Sequence, residues 1–342
     1  QRNQESKNSR LSSIREEVIS MDETLANGFG GERSPRFPSV FSVIASFILL
    51  SMGFTSLIYT LPLLDFVARS RREERMKVFL PSFLLVVGRS IYYSWGLENF
   101  LLWLVLDLYV PLSLLAAGFI WSIQRKGGIG TRLFWSMVPS ALAALILGVV
   151  FFMDRALFDA FYLSMKDAFV SIMGGMLDSL GIVGDVDFLF TLMSIVVGVF
   201  TFPVILGASC VSIFYYENRR HSKETHWDDV VAALEFNTNT IWLLILFLFL
   251  FLLGRFMPMP LALSILFMSL VVSMILVYAI QGFAVLMAWI RNRGLGLRSP
   301  QLLFILFIVS FLIPGLNIIV LIGVPLLGIL ENFFDLKTRR KK

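Results

Sequence analysis

The chain has 342 residues, of which 57% are hydrophobic and 15% charged, and its mean hydropathy is +0.80. Soluble domains usually carry about 25% charged residues, so this composition excludes an ordinary soluble domain and predicts a protein embedded in a lipid bilayer. The net charge of +5 does not indicate nucleic-acid binding, because the basic residues lie at the ends of apolar runs rather than on one basic face. The single cysteine, Cys210, excludes an internal disulfide bond.

The first 37 residues form a polar arm in which six basic and six acidic residues cancel. We predict that this arm is cytoplasmic and largely disordered, because it has too little apolar surface to build a core. It contains no apolar stretch of the kind found in a cleavable signal peptide. Residues 38–336 are predicted to form one transmembrane domain, followed by a basic cytoplasmic tail at residues 337–342.

Apolar runs long enough to cross a membrane follow the arm, since a helix needs about 20 residues to cross a hydrocarbon core. The six clear runs are residues 79–96, 99–123, 133–153, 188–215, 237–255 and 259–290. Regions 41–68 and 302–333 each fit one tilted helix or two short ones, with breaks expected at Leu61-Pro62 and Pro314-Gly315. The sequence therefore predicts an all-α polytopic transmembrane helix bundle of eight to ten spans.

Five basic clusters between these runs predict the orientation of the bundle. The clusters are residues 69–77, 125–132, 219–223, 291–298 and 337–342. Short loops rich in Lys and Arg stay on the cytoplasmic side of a membrane, so all five clusters and the C-terminus are predicted to lie inside. The segments between alternate spans are acidic, which agrees with an outer location for them.

Residues 155–187 form an outer segment that differs from the spans. Polar residues recur there at near-helical spacing among apolar ones: Asp159, Lys166, Asp167, Ser171 and Asp178. This pattern predicts an amphipathic helix that lies along the membrane interface. A second placement, in which the helix caps a cavity, stays open.

Arg89 and Asp107 are predicted to form an ion pair within the membrane. Arg89 lies eight residues before the turn at Leu97 and Asp107 lies ten residues after it, which places both about 12–15 Å below the outer end of one helical hairpin. A charge within the membrane costs about 3 kcal/mol, so each needs a partner. Either the pair only locks the hairpin, or it lines a polar cavity, open to the outside, that binds a charged or zwitterionic solute.

Other polar residues complete the candidate ligand-binding set, which contains no catalytic residue. Gln281 is predicted at mid-membrane, and Asn317 at the outer tip of the last hairpin. The full set is Arg89, Tyr92, Tyr93, Asp107, Tyr278, Gln281 and Asn317. A polar residue in lipid often bonds a neighbouring helix rather than a ligand, and this alternative stays open for Gln281.

The sequence contains no recognisable catalytic or metal-binding motif. There is no nucleotide-binding G-x-x-x-x-G-K-[ST] loop, no H-E-x-x-H and no Cys/His cluster of metal-ligand spacing. Both histidines, His221 and His226, fall in one predicted cytoplasmic loop, too far from any membrane serine to activate it. We therefore predict that the protein is not an enzyme and uses no metal or cofactor.

Three stretches of the C-terminal third carry a family resemblance. They are WDDVVAALEFNTNTIW (227–242), VYAIQGFAVLMA (277–288) and LIGVPLLGILENFFD (321–335). With the Tyr278-x-x-Gln281-Gly282 run, they resemble the YybS-like family of uncharacterised bacterial membrane proteins. That family is distantly similar to the S components of energy-coupling-factor transporters, which capture a solute and pair with a transmembrane subunit and two ATPases. Ser42-x-x-x-Ser46 stands where S components have an Ala-x-x-x-Ala ladder on the first span.

The resemblance implies a multi-pass protein of the bacterial cytoplasmic (inner) membrane with a solute pocket near the outer face. The predicted function is therefore a solute-binding transport component, whose partners are the lipid bilayer, a small-molecule solute and other membrane proteins. The alternative is a non-transporting scaffold or assembly subunit of a larger membrane complex. In that case the outer helix and the cytoplasmic arm would contact protein partners.

Overall fold

The computed structural model describes residues 39–70, 74–97, 99–124, 129–180, 186–220, 231–232, 234–257, 259–294, 301–302, 304–306, 308, 316–334 and 336–337. Within these residues the protein is helical and contains no strand, which confirms the all-α prediction. The predicted arm and most of the basic tail lie outside them. The ten α-helices described are α1 (Ser39–Ser51), α2 (Leu61–Arg69), α3 (Met76–Ser94), α4 (Phe100–Ile123), α5 (Ile129–Met153), α6 (Arg155–Leu180), α7 (Val186–Arg220), α8 (Thr240–Phe256), α9 (Leu261–Asn292) and α10 (Leu316–Phe334).

Five of the described helices are long and apolar enough to cross a membrane. They are α4, α5, α7, α9 and α10, with α1 and α8 as shorter apolar helices. The predicted spans 99–123, 133–153, 188–215 and 259–290 coincide with four of the five, and 79–96 coincides with α3. The multi-pass helix bundle is thus confirmed, and the total of eight to ten spans stays a prediction.

The first ambiguous region, 41–68, is a broken helix. A 3₁₀ helix at Gly53–Ile58 separates α1 from α2, and Gly53 has a φ of +63°, which a glycine adopts without steric cost. The Tyr59 hydroxyl donates a hydrogen bond of 2.6 Å to the Pro111 carbonyl, halfway along α4. The break therefore lies near the middle of the bundle, and the predicted turn at Leu61-Pro62 coincides with the start of α2. The second predicted turn, at 314–315, lies outside the described residues.

Helix α9 is the central element of one half of the bundle, where it packs on α10, α7, α8 and α5. Its contact with α10 brings two backbones together: a Cβ on Gly282 would lie 1.8 Å from the Val324 carbonyl oxygen, and one on Gly328 would lie 2.0 Å from that of Tyr278. Only glycine fits at such an approach. In the other half, α4 packs on α3, α5 and α7 around the fully buried Trp121.

The described parts of the five basic clusters meet at one end of the bundle, which we call the basic end. Arg132 pairs with Glu217, and Tyr215 donates a hydrogen bond to Asp65, so that the first three clusters are joined. The amide of Asn292 donates to the Lys337 carbonyl, which joins the last two. Two further contacts connect these groups: Lys337 with the Leu234 carbonyl, and the first turn of α5 at Gly130 with Glu235. Their common location agrees with the predicted single-sided orientation.

Helix α6 lies across the opposite end, which we call the far end, where α3 and α5 finish and α4, α7 and α9 begin. The chain changes direction at Asp154, whose carboxylate accepts a hydrogen bond from the Leu157 amide. Phe151 stacks on Phe161 at 5.7 Å, although ten residues of straight helix would separate them by about 15 Å. The other contacts of α6 reach the first residues of α4 and α7: Trp103 on Phe161, Phe190 on Tyr162, and Asp187 on Lys166. The interfacial placement of this helix stays a prediction, as does the second placement over a cavity.

Candidate functional site

Arg89 and Asp107 form the predicted ion pair. The hairpin between α3 and α4 places Arg89 five residues before the end of α3 and Asp107 seven residues after the start of α4, about 8–10 Å from the far end. The Arg89 Nη1 atom lies 3.1 Å from one carboxylate oxygen of Asp107 and 3.3 Å from the other. The Ser90 hydroxyl donates to the first of these oxygens at 2.5 Å. The structure thus confirms the pairing that matched depth predicted.

Tyr92 and Tyr93 accompany this pair, whereas Tyr109, two residues after Asp107, is directed elsewhere. The Tyr93 ring lies 4.8 Å from the Arg89 guanidinium carbon and contacts the Tyr92 ring edge to face. Tyr92 and Tyr93 are 78% and 58% exposed, so most of their surface is free to contact lipid, solute or a partner. The Tyr109 hydroxyl instead donates to the Ser140 carbonyl at 3.4 Å, which directs this side chain towards α5.

The Arg89–Asp107 pair is only partly buried. The Arg89 side chain is 19% exposed and the Asp107 side chain 35%. Arg89 engages Asp107 through Nη1 alone, and its Nε atom is buried without a hydrogen-bond partner. One edge of the guanidinium group is therefore not used by the described part of the chain.

Gln281 and Tyr278 belong to a different part of the bundle. Gln281 is almost fully buried, and its Nε2 atom donates a hydrogen bond of 3.0 Å to Asn332 on α10. Tyr278 is fully buried beside the close approach of Gly282 and Gly328. Both polar side chains thus lie between α9 and α10, whereas α3, which carries Arg89, packs on α1 and α4. Gln281 thus bonds a neighbouring helix, which is the alternative to ligand binding that was left open for it.

Asn317 stands apart from both groups. Its side chain is exposed at the start of α10, and its Oδ1 atom accepts a hydrogen bond of 2.8 Å from the Ile318 amide. The structure therefore brings together four of the seven candidate residues: Arg89, Tyr92, Tyr93 and Asp107. Any ligand-binding role of these residues stays a prediction.

A second buried ion pair was not predicted from the sequence. Arg132 on α5 lies 3.2 Å from Glu217 on α7, and their side chains are only 9% and 3% exposed. The same Glu217 oxygen accepts a hydrogen bond of 2.8 Å from the Trp121 indole, and the Arg132 guanidinium carbon stacks 4.1 Å from that ring. One carboxylate thus joins α4, α5 and α7 at the basic end. Arg75 adds a hydrogen bond to the Ser122 carbonyl nearby.

A sequence signal for this cluster existed in the charge pattern. Glu217 is an acidic residue at the end of a long apolar run, beside the basic cluster 219–223. A carboxylate at such a depth needs a cation, and Arg132 borders a neighbouring apolar run at the same end. The sequence alone does not single out Arg132 as the partner of Glu217, because Arg132 belongs to a basic cluster whose members are expected to be solvated.

The chemistry available at the far end is charge recognition. Arg89 offers guanidinium hydrogens, Asp107 a carboxylate, and Tyr92 and Tyr93 exposed aromatic faces. Within the described residues, no group of three His, Cys, Asp or Glu side chains could hold a metal ion.

Comparisons of the chain with protein-family models, with curated proteins and with solved structures gave no match, so the resemblance to the YybS-like family stays a prediction.

Proposed function

We propose that the protein is a solute-binding component of a membrane transport system, and that the solute contacts Arg89, Asp107, Tyr92 and Tyr93. The observation that carries this proposal is the partly exposed ion pair on two spans near the far end. Following the family resemblance, we assign the protein to a bacterial cytoplasmic membrane, and the five basic clusters predict that the far end lies outside. A solute would then reach the pair from the cell exterior.

The exposure of the pair supports this proposal because of its energetic cost. A pair that only locked a hairpin would be most stable when it was fully enclosed by protein, as Arg132 and Glu217 are. Asp107 instead exposes 35% of its side chain close to the hydrocarbon region, where a charge in contact with lipid is costly. Water or a polar solute beside the pair removes this cost.

The first experiment measures the small molecules that the protein retains. Wild-type protein and the Arg89→Ala and Asp107→Asn variants are purified in mild detergent, denatured, and their released small molecules identified by mass spectrometry. We expect one polar solute with the wild type and a loss of at least about tenfold in both variants, because each removes a charge from the site. The folding yield of each variant is measured by size-exclusion chromatography.

The matched control is Lys77→Ala, which removes a charge from the other end of the same helix, where Lys77 is exposed and pairs weakly with Glu74. It should retain the solute as the wild type does. If the wild type retains no solute, and Asp107→Asn folds in lower yield than the control, then the pair only locks the hairpin and the proposal is wrong.

The resemblance to S components implies that the protein also pairs with a separate transmembrane subunit, but it does not identify the surface that this subunit would contact. Ser42 and Ser46, which stand in place of the Ala-x-x-x-Ala ladder, are buried within the chain's own bundle. Any separate transmembrane subunit would therefore bind another surface of the protein. Co-purification with such a subunit, after cross-linking in membranes, tests this extension separately from solute binding.

A second proposal, that of a scaffold in a larger complex, is favoured by the outer surface of α6. On this helix the apolar side chains of Leu163 and Ile172 are exposed beside Asp159 and Asp167. Such a mixed surface suits contact with another protein. Replacement of Leu163 and Ile172 by serine would release a stoichiometric protein partner under this proposal, and would leave solute retention unchanged under the first.

A further inference from the structure

We propose that Arg89 binds an oxyanion, a carboxylate or a phosphate group, through the edge of its guanidinium group that Asp107 does not use. This inference rests on the proposed function, because it names the chemical class of ligand for the same site. It assigns a negative charge to the part of the ligand that contacts α3. Asp107 then positions Arg89 and does not contact the oxyanion.

The hydrogen bonds of the guanidinium group carry this inference. Arginine has five N–H donors arranged as a planar fork, and two of them lie parallel on the edge formed by Nε and Nη2. Both contacts with Asp107 are made by Nη1, at 3.1 and 3.3 Å. In the described part of the chain, Nε and Nη2 donate no hydrogen bond. The edge that best matches two oxygens of a carboxylate or phosphate is thus vacant.

A buried N–H donor without an acceptor destabilises the folded protein, so the unpaired Nε atom of Arg89 points to a missing acceptor. A buried N–H without an acceptor has lost its hydrogen bond to water without gaining another, and the Nε atom of Arg89 is in this state. Asp107 holds the guanidinium group from one side, and Ser90 holds Asp107 in turn. The group is therefore fixed in position before a ligand arrives, which lowers the entropy cost of binding.

The Tyr93 ring is a movable neighbour of this guanidinium group. The ring covers the guanidinium group at 4.8 Å, yet more than half of its own surface is exposed. Rotation of an exposed tyrosine is rapid and needs no change in the backbone. Rotation of this side chain therefore uncovers part of the guanidinium group, which makes room for an oxyanion beside it.

Two sources could supply the oxyanion at this depth. One is a soluble solute that enters from the aqueous side, and the other is the phosphate of a lipid headgroup, since the pair lies about 8–10 Å from the end of the helices. Both share the same two-oxygen chemistry. The experiment therefore has one arm for each source.

The test compares two arginine-to-lysine variants. Arg89→Lys keeps the positive charge but removes the planar fork. The matched control is Arg69→Lys, because Arg69 also pairs with an aspartate, Asp65, and its side chain is 16% exposed, against 19% for Arg89. In the first arm, unfolding midpoints in detergent are measured with sodium phosphate or sodium acetate, against sodium chloride at equal ionic strength. In the second arm, the midpoints are measured in nanodiscs of phosphatidylcholine with or without phosphatidylglycerol.

We expect phosphate or acetate to raise the midpoint of the wild type and of Arg69→Lys, with an apparent affinity about tenfold weaker for Arg89→Lys. A response to phosphatidylglycerol alone, lost in Arg89→Lys, identifies the oxyanion as a lipid headgroup. In that case the inference stands and the solute-binding function fails. The inference is wrong if Arg89→Lys responds as the wild type does, if the wild type responds in neither arm, or if the retained solute carries no carboxylate or phosphate.

Discussion

Single residues show where the charge pattern of the sequence is informative and where it misleads. Arg89 and Asp107 are isolated in apolar runs, so the cost of an unpaired charge and their matched distance from one turn predict the contact that the structure contains. Arg132 and Glu217 are 85 residues apart; Arg132 is the last residue of one basic cluster, and Glu217 lies just before another. Their pairing could not be predicted because a charge near a cluster is usually solvated, and only the packing of α5 on α7 encloses both.

The Arg132–Glu217 pair is expected to dominate the stability of the basic end. Glu217→Gln should lower the free energy of unfolding by about 3–5 kcal/mol, because it leaves a buried guanidinium group without its counter-charge. Thermal or denaturant unfolding in detergent measures this loss. Glu74→Gln is the control, because its ion pair with Lys77 is exposed and should contribute less than about 1 kcal/mol. Equal effects of the two substitutions would contradict the buried location of Glu217.

At the scale of helices, apolar length predicted the spans well because a bilayer imposes a minimum length on every crossing. Helices α4, α5, α7 and α9 each lie within a few residues of a predicted run. Leu61-Pro62 predicted a break in the first helical region but not the 3₁₀ helix that precedes α2. The position of that helix depends on contacts with α4 and α7, which the sequence does not show. The partner of Gly282 could not be predicted either, because Gly328 lies far along the chain and glycine is common in membrane helices.

The contact between α9 and α10 predicts a sharp difference among glycines. Gly282→Ala should separate the two helices or unfold their contact, because the new Cβ would lie 1.8 Å from the Val324 oxygen. Gly323→Ala, on α10, is the control, since no described residue lies within 4 Å of a Cβ at that position. Disulfide cross-linking between cysteines at Gln281 and Asn332 in a Cys210→Ala background should fall several-fold with the first substitution and not with the second. Equal cross-linking would show that the backbones do not meet there.

The whole molecule has two chemically different ends, and the sequence predicted this polarity before any packing was known. Basic clusters can be assigned to one side from their charge alone, and the structure gathers their described parts at the basic end. The candidate site was predictable only in part. Gln281 and Arg89 share an apolar environment in the sequence, and only the packing of α9 on α10 separates them.

The prediction for the whole molecule is its orientation: the basic end faces the cytoplasm and the far end faces outwards. Single cysteines are placed at Lys77, Arg293, Trp95 and Asp159, all exposed, in a Cys210→Ala background. In intact bacterial cells, a membrane-impermeant maleimide should label positions 95 and 159 and spare 77 and 293, because basic ends stay in the cytoplasm. Permeabilised cells should show all four labelled. Labelling of 77 and 159 from the same side would contradict the proposed orientation and the entry of solute at Arg89.

The interruption between α1 and α2 has a mechanical consequence. A continuous α-helix resists bending because each turn is tied to the next by hydrogen bonds, whereas the α-helical ladder is interrupted here by the 3₁₀ helix that begins at Gly53. The two halves pack on each other, and each has a further neighbour of its own: α1 packs on α3, and α2 on α7. A tilt of α3, which carries Arg89, therefore acts directly on α1 and reaches α2 through the α1–α2 contact and the 3₁₀ segment.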